Sequence, residues 1–160
     1  MNGEITFKIG DENILDDVKA LWEELKQFHI EKSLDFKQNF MENTFQARKE
    51  SFSDKIKNGK IFIVIAFHKD CKIGYCISSI IKNTGEIDSL YVKPEYRKNR
   101  IGTKLIETSL DWIKSNNIKK IEINVAVGNE ETFGFYSKFG FAPKTTILQL
   151  VEDCFPRANE

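Results

Sequence analysis

The longest uninterrupted apolar run in the chain, Ile61-Phe62-Ile63-Val64-Ile65-Ala66-Phe67, narrows the folds open to it. It falls well short of the ~20 residues that cross a bilayer as a helix, so it reads as a buried strand. A second β-rich run, Ile73 to Ile81, follows across His68-Lys69-Asp70-Cys71-Lys72, which predicts an antiparallel hairpin. Asn83-Thr84-Gly85 marks the next turn. Glu86 to Val92 is a third strand, and Pro94, which cannot donate to a sheet ladder, lies just past its end.

Buried strands need cover, and helical periodicity supplies it. Residues 4–9 alternate polar side chains with Ile5, Phe7 and Ile9, as in a half-buried strand, and Asp11 then offers an N-cap. Ile14, Val18, Leu21, Trp22, Leu25 and Phe28 recur at helical spacing. The pattern lapses over residues 29–36. A second helical segment from Phe36 to about Lys57 carries Phe40, Phe45, Phe52 and Ile56, and Asn58-Gly59 stops it. Past Pro94 a helix is expected over Gly102 to Ser115, with Leu105, Ile106, Leu110 and Ile113 on one side. A strand from Ile118 to Val127, a short helix ending at Phe139-Gly140 and a last strand from Thr145 to Val151 complete the chain. The order β-α-α-β-β-β-α-β-α-β predicts an α/β fold, a mixed and mostly antiparallel sheet flanked by helices, in a single domain over residues 1–160.

Lys plus Arg and Asp plus Glu each number 24, so no global field draws the chain to nucleic acid or to an anionic membrane. The cysteines, Cys71, Cys76 and Cys154, are odd in number without metal or redox spacing, and no charged-then-apolar leader opens the chain. Both features point to a reducing, cytoplasmic setting. His29 and His68 lack a third ligand at metal-like spacing, so no metal is expected.

Charge is concentrated locally. Between Lys93 and Lys104 stand Lys93, Arg97, Lys98, Arg100 and Lys104 against the single acid Glu95, a net of +4 in a chain whose total is zero. A strand, a short loop and a helix N-terminus make a general anion site, because first-turn N–H groups lack partners and the macrodipole places about half a positive charge there. Gly102 lets an anion approach the backbone, and Thr103 adds a hydroxyl donor.

The stretch Leu90 to Leu105 resembles the acyl-CoA-binding segment of the GCN5-related N-acetyltransferases, usually written Gln/Arg-x-x-Gly-x-Gly/Ala. Arg97 and Gly102 match its first and last positions, and Arg100 replaces the middle glycine. Downstream, Asn129 and Phe135-Tyr136-Ser137-Lys138-Phe139-Gly140-Phe141 resemble the family's Asn-containing turn and its Tyr-x-x-x-Gly-Phe helix end. The resemblance covers roughly residues 60–150. It implies transfer of an acetyl group from acetyl-CoA to a primary amine within a ternary complex, the coenzyme lying where the sheet splays between the strands ending at Val92 and near Val127. Leu90, Tyr91, Val92, Arg97, Lys98, Asn99, Arg100, Ile101, Gly102, Thr103, Asn129 and Tyr136 are the residues expected to hold it, with Arg100 a candidate phosphate contact.

Amine acetylation needs a neutral nucleophile, yet an alkylammonium is only about one part in 10³ deprotonated at neutral pH. The resemblance gives Glu86 as base. Asp88 shares its face under period-2 alternation, with Ile87 and Ser89 opposite, and is a substitute base or an attractor for the amine. Tyr136 matches the family's usual general acid, a donor to the departing sulfur. His29, Glu31, Asp35 and Phe36 fall in the break between the first helices and are candidates for the acceptor rim, facing a small-molecule or peptide amine. The alternative is a silent acyl-CoA sensor or interaction module that keeps the pocket without the chemistry. The Thr145 to Val151 strand, at a sheet edge, is a candidate for pairing with a second copy in a homodimer.

Overall fold

The computed structural model describes residues 3–151, so Cys154 and the last residues lie outside it. Strand β1 (Ile5–Gly10) leads through a 3₁₀ turn over Glu12–Val18 into α1 (Lys19–Lys32). Helices α2 (Lys37–Glu42) and α3 (Phe45–Lys57) follow, then the meander β2 (Gly59–His68), β3 (Cys71–Ile81) and β4 (Thr84–Val92). Helix α4 (Ile101–Ser115), β5 (Lys120–Ile123) and α5 (Phe133–Ser137) complete the regular elements. The strands lie in sequence order in one five-stranded sheet, antiparallel except for the parallel β4–β5 pair that α4 bridges.

The apolar run of β2 is explained by burial on both faces. Ile61, Ile63 and Ile65 pack with Leu21, Trp22, Phe45 and Phe52 from α1 and α3, whereas Val64 and Ala66 pack with Leu105, Ile106 and Ile113 of α4. Asp11 caps the first helical turn as expected, its carboxylate accepting from the Asn13 N–H at 3.0 Å. No helix among the described residues is long and apolar enough to cross a membrane.

Several expected boundaries moved. Helix α1 runs on to Lys32, so His29 sits within it and not in a loop. The segment over 36–57 is two helices, because Thr44 adopts extended backbone and its hydroxyl accepts from the Ala47 N–H at 3.1 Å, capping a new helix. Ile9 is 56% exposed, since β1 is an edge strand and only Ile5 and Phe7 reach the α4 side of the core. The last expected strand does not form among the described residues: Thr145 to Val151 carries no ladder, and Ile147 and Leu148 are exposed. An alternating sequence makes a strand only when an edge pairs with it, and the described part of β5 pairs over just four residues, all with β4.

Two irregularities shape the middle of the sheet. The β3–β4 ladder shifts register so that Ile77 faces Ser89 and Ser78 faces Ile87, leaving Asp88 as an extra residue. Ser89 consequently joins Glu86 and Asp88 on the α1/α3 side, where its hydroxyl meets Tyr75 Oη at 2.7 Å; strict alternation places it opposite. In addition, β5 ends at Ile123 instead of continuing to Val127, so the β4–β5 ladder stops at the Ile87–Ile123 pair. From Asp88 onward β4 offers an edge with no β5 partner.

Candidate functional site

Helix α4 begins abruptly. Its N-cap, Arg100, has φ 60° and makes no side-chain cap, and the first intrahelical bond runs from Lys104 N–H to the Arg100 carbonyl. The N–H groups of Ile101, Gly102 and Thr103 therefore face outward without helical acceptors, at the positive end of the dipole. Lys98 is also left-handed, φ 65°. Holding an L-residue there costs about 1–2 kcal/mol, which explains why related loops carry glycine at the position of Arg100. Arg100→Gly exchanges that strain for the entropy of a glycine, about 0.5–1 kcal/mol, so a net gain of up to about 1.5 kcal/mol is expected in thermal unfolding. A lower unfolding temperature would mean that Arg100 is held by contacts outweighing the strain.

Arg97 fastens the loop. Its Nε donates to the Val92 carbonyl at 3.0 Å, and its guanidinium lies 5.7 and 5.8 Å from the ring centroids of Phe28 and Tyr91. The Asn99 amide donates to the carbonyls of Tyr96 and Arg97, so Asn99 shapes the turn. The candidate anion site consists of three backbone N–H groups and the Thr103 hydroxyl, with Lys98 and Arg100 beside them.

From that site a cavity of about 500 Å³ runs along the open edge of β4, past Val92 and Leu90 to Tyr136 and Asn129. Tyr91 and Ile101 line it as well. A Cβ built on Gly102 would lie 3.5 Å from the Phe135 ring, an ordinary contact, so internal packing does not demand glycine there. Gly102→Glu tests what does. Glu is a better helix former than Gly, and an acid in a first turn favours the dipole, so stability should hold or rise. A carboxylate beside a bound anion costs about 1–4 kcal/mol depending on screening, so anionic-ligand affinity should fall about fivefold or more. Undiminished coenzyme A binding by calorimetry would place the anion elsewhere.

A second cavity, about 180 Å³, lies between α1, α3 and β4 and shares Leu25, Leu90, Asn129 and Tyr136 with the first. Asp88 is in its wall, its side chain 1% exposed. Lys55 Nζ binds Asp88 Oδ1 and, at 2.7 Å, Glu86 Oε2; Arg48 donates to the Asp88 carbonyl at 3.1 Å. Asp88 Oδ2 is buried without a partner. Burial pushes the Asp88 carboxyl above its ordinary value, against the opposing pull of Lys55. Glu86 is held between Lys55 and the Asn124 amide at 3.1 Å and lines neither cavity.

His29 lines the smaller cavity, stacked on Phe40 at 5.3 Å, and burial pushes its imidazole below the ordinary value, favouring the neutral ring. Phe36 is half-buried at the start of α2 and lines neither cavity, and Glu31 and Asp35 are exposed. Tyr136 packs edge-on against Phe135 and Phe141, while Phe133 stays partly exposed. Burial raises its phenol well above the ordinary value, so it keeps its proton across the neutral range. Asn129 stands where the two cavities meet, its carbonyl accepting from the Thr132 N–H and hydroxyl. The preceding Gly128 has φ 91° and passes so close to the Lys32 carbonyl that a side chain would collide with the end of α1.

Lys55 and Arg48 escaped the reading of the sequence. The available signal was their spacing: seven residues apart and flanking Phe52, they lie on the apolar face of α3, an unusual place for two cations.

The family model for the GNAT acetyltransferases matches residues 19–141. Among relatives, the chain is 34% identical over 89 residues to spermidine N(1)-acetyltransferase of Thermoplasma acidophilum, covering 56% of this chain and 55% of that protein. It is 28% identical over 124 residues to the peptidyl-lysine N-acetyltransferase YjaB of Salmonella typhimurium, covering 76% and 77%. The chain spans less than two thirds of the length of the first curated relatives it matches. In fold it is similar to the PaiA N-acetyltransferase of Thermoplasma acidophilum, solved with coenzyme A, with a TM-score of 0.71 at 23% identity over 90% of this chain and 93% of that one. With the family model matched across most of the chain, and a five-stranded sheet that opens beside the helix N-terminus, the chain belongs to the GNAT acetyltransferase family.

Proposed function

We propose that the chain is an N-acetyltransferase that moves an acetyl group from acetyl-CoA directly to a primary amine. The observation that carries this reading is the meeting of two cavities at Tyr136, Leu90 and Asn129. One leads to an anion site at the start of α4, and the other holds a buried carboxylate with a free oxygen.

The N–H groups of Ile101, Gly102 and Thr103 suit a pyrophosphate. The edge of β4 from Asp88 to Val92, unpaired by β5, suits the amides of a pantetheine arm in the manner of an added strand. Acetyl-CoA supplies the activated acyl group. Asp88 takes the amine's proton on Oδ2, since burial has made it a stronger base than an exposed aspartate and it lines the acceptor cavity. Glu86, away from both cavities, acts through Lys55 by sharing that cation and so positions Asp88. Tyr136 donates a hydrogen bond to the departing sulfur as negative charge develops there.

The test is acetyl-CoA consumption across amino acids, polyamines, aminoglycosides and N-terminal peptides. Turnover with at least one amine is expected. Acetyl-CoA binding without turnover on any of them would favour a silent sensor, and a failure to bind acetyl-CoA would remove the donor itself.

A further inference from the structure

The charge lining the smaller cavity separates classes of acceptor. Two cations and one acid line it: Lys26, Arg48 and Asp88. Asp88 is already compensated, by Lys55 on Oδ1 and by Arg48 at 4.0 Å. Arg48 lies 4.4 Å from the centroid of the Phe52 ring and commits one donor to the Asp88 carbonyl, and its guanidinium makes no other hydrogen bond among the described residues. Lys26 stands over Trp22, 5.9 Å from its ring centroid, and makes no ion pair with a carboxylate among the described residues. The cavity therefore carries an excess of positive charge, and the one acid in its wall, Asp88, is buried with its Oδ2 unpartnered.

We propose that the acceptor is a small amine that also bears a carboxylate, of amino-acid size, and that Lys26 and Arg48 are the residues selecting it. This rests on the N-acetyltransferase reading above. The carboxylate meets Lys26 and the open donors of Arg48, offsetting the cavity's excess of positive charge, and the ammonium group is turned toward Asp88 in the cavity wall. A polyamine would bring further cations into an already positive cavity, which selects against it by repulsion. Size agrees, since about 180 Å³ is below the roughly 300–1,000 Å³ of sites for drug-sized ligands and leaves little room for an aminoglycoside.

The experiment compares kcat/KM, with acetyl-CoA as donor, for free amino acids, the matching amino-acid carboxamides, and diamines and polyamines. Free amino acids should exceed their carboxamides by about tenfold or more, and the polyamines by at least as much. In Lys26→Glu, KM for the amino acid should rise about tenfold with kcat little changed, and KM for the carboxamide should stay level or fall. Lys26→Gln, which only removes the charge, gives a smaller shift in the same direction and serves if the charge reversal disturbs folding. Carboxamides or polyamines acetylated as well as the amino acids would overturn the proposal and leave the N-acetyltransferase reading standing. Acetyl-CoA binding with no acetylation in any of these series would also overturn the proposal, and the N-acetyltransferase reading would then be decided by the aminoglycosides and N-terminal peptides.

Discussion

Replacing Tyr136 by Phe should lower kcat by about 10²–10³-fold, with acetyl-CoA affinity nearly unchanged. The ring fills the same space against Phe135 and Phe141, so the fold and the shared wall of the two cavities persist. Only the hydroxyl is lost. Its donor is aimed at charge that exists in the transition state and not in the ground state, and removal of one such donor from a dry site costs about 10²–10³ in rate. Because burial keeps the phenol protonated well beyond neutrality, it is present as a donor throughout the working range. The measurement is kcat and KM for both substrates together with acetyl-CoA binding by calorimetry. Equal loss in kcat and in cofactor affinity would make Tyr136 a packing residue, and unchanged turnover would remove it from the chemistry.

Asp88→Asn should lower kcat/KM for the amine by about 10²–10⁴-fold, the range for loss of a positioned general base. Asparagine keeps the shape, and Lys55 keeps Glu86 as its counter-ion at 2.7 Å, so no cation is stranded by the change. Glu86→Gln should cost far less, since Glu86 lines neither cavity. Asp88 must be ionised to accept the proton, so activity should fall as pH drops through its folded value. Burial raises that value above the ordinary 3.8, placing the acidic limb at a higher pH than an exposed aspartate would, and Asp88→Asn should erase it. If Glu86→Gln proves the more damaging, or if the acidic limb survives Asp88→Asn, the base is not Asp88.

The proposal of Asp88 in place of Glu86 as base turns on the extra residue in β4. Period-2 alternation puts both acids on one face but says nothing about depth or partners. The register shift at Asp88 carries that residue inward beside Lys55, whereas Glu86, two residues earlier, is tied to Lys55 and Asn124. A bulge of this kind depends on how two strands settle against each other, and nothing local in Asp88-Ser89 announces it.

What the sequence alone determined was everything carried by contiguous backbone. The β2–β3–β4 meander, the apolar stripe of α4 and the turn from Val92 to Thr103 are short-range features, because strand alternation, helical periodicity and a helix's unpaired first N–H groups all arise within a few residues. Even the oddity of Arg100 was visible as a missing glycine, and the structure supplied its meaning, a left-handed residue at the N-cap of α4. Tertiary structure alone decided what depends on distant segments meeting. Lys55 reaches Glu86 and Asp88 across 31 and 33 residues, and Arg48 reaches the Asp88 carbonyl across 40. The same holds for the early end of β5 and for Thr145 to Val151, unpaired among the described residues, since a strand exists only where a second edge bonds to it and that edge lies far away in the chain.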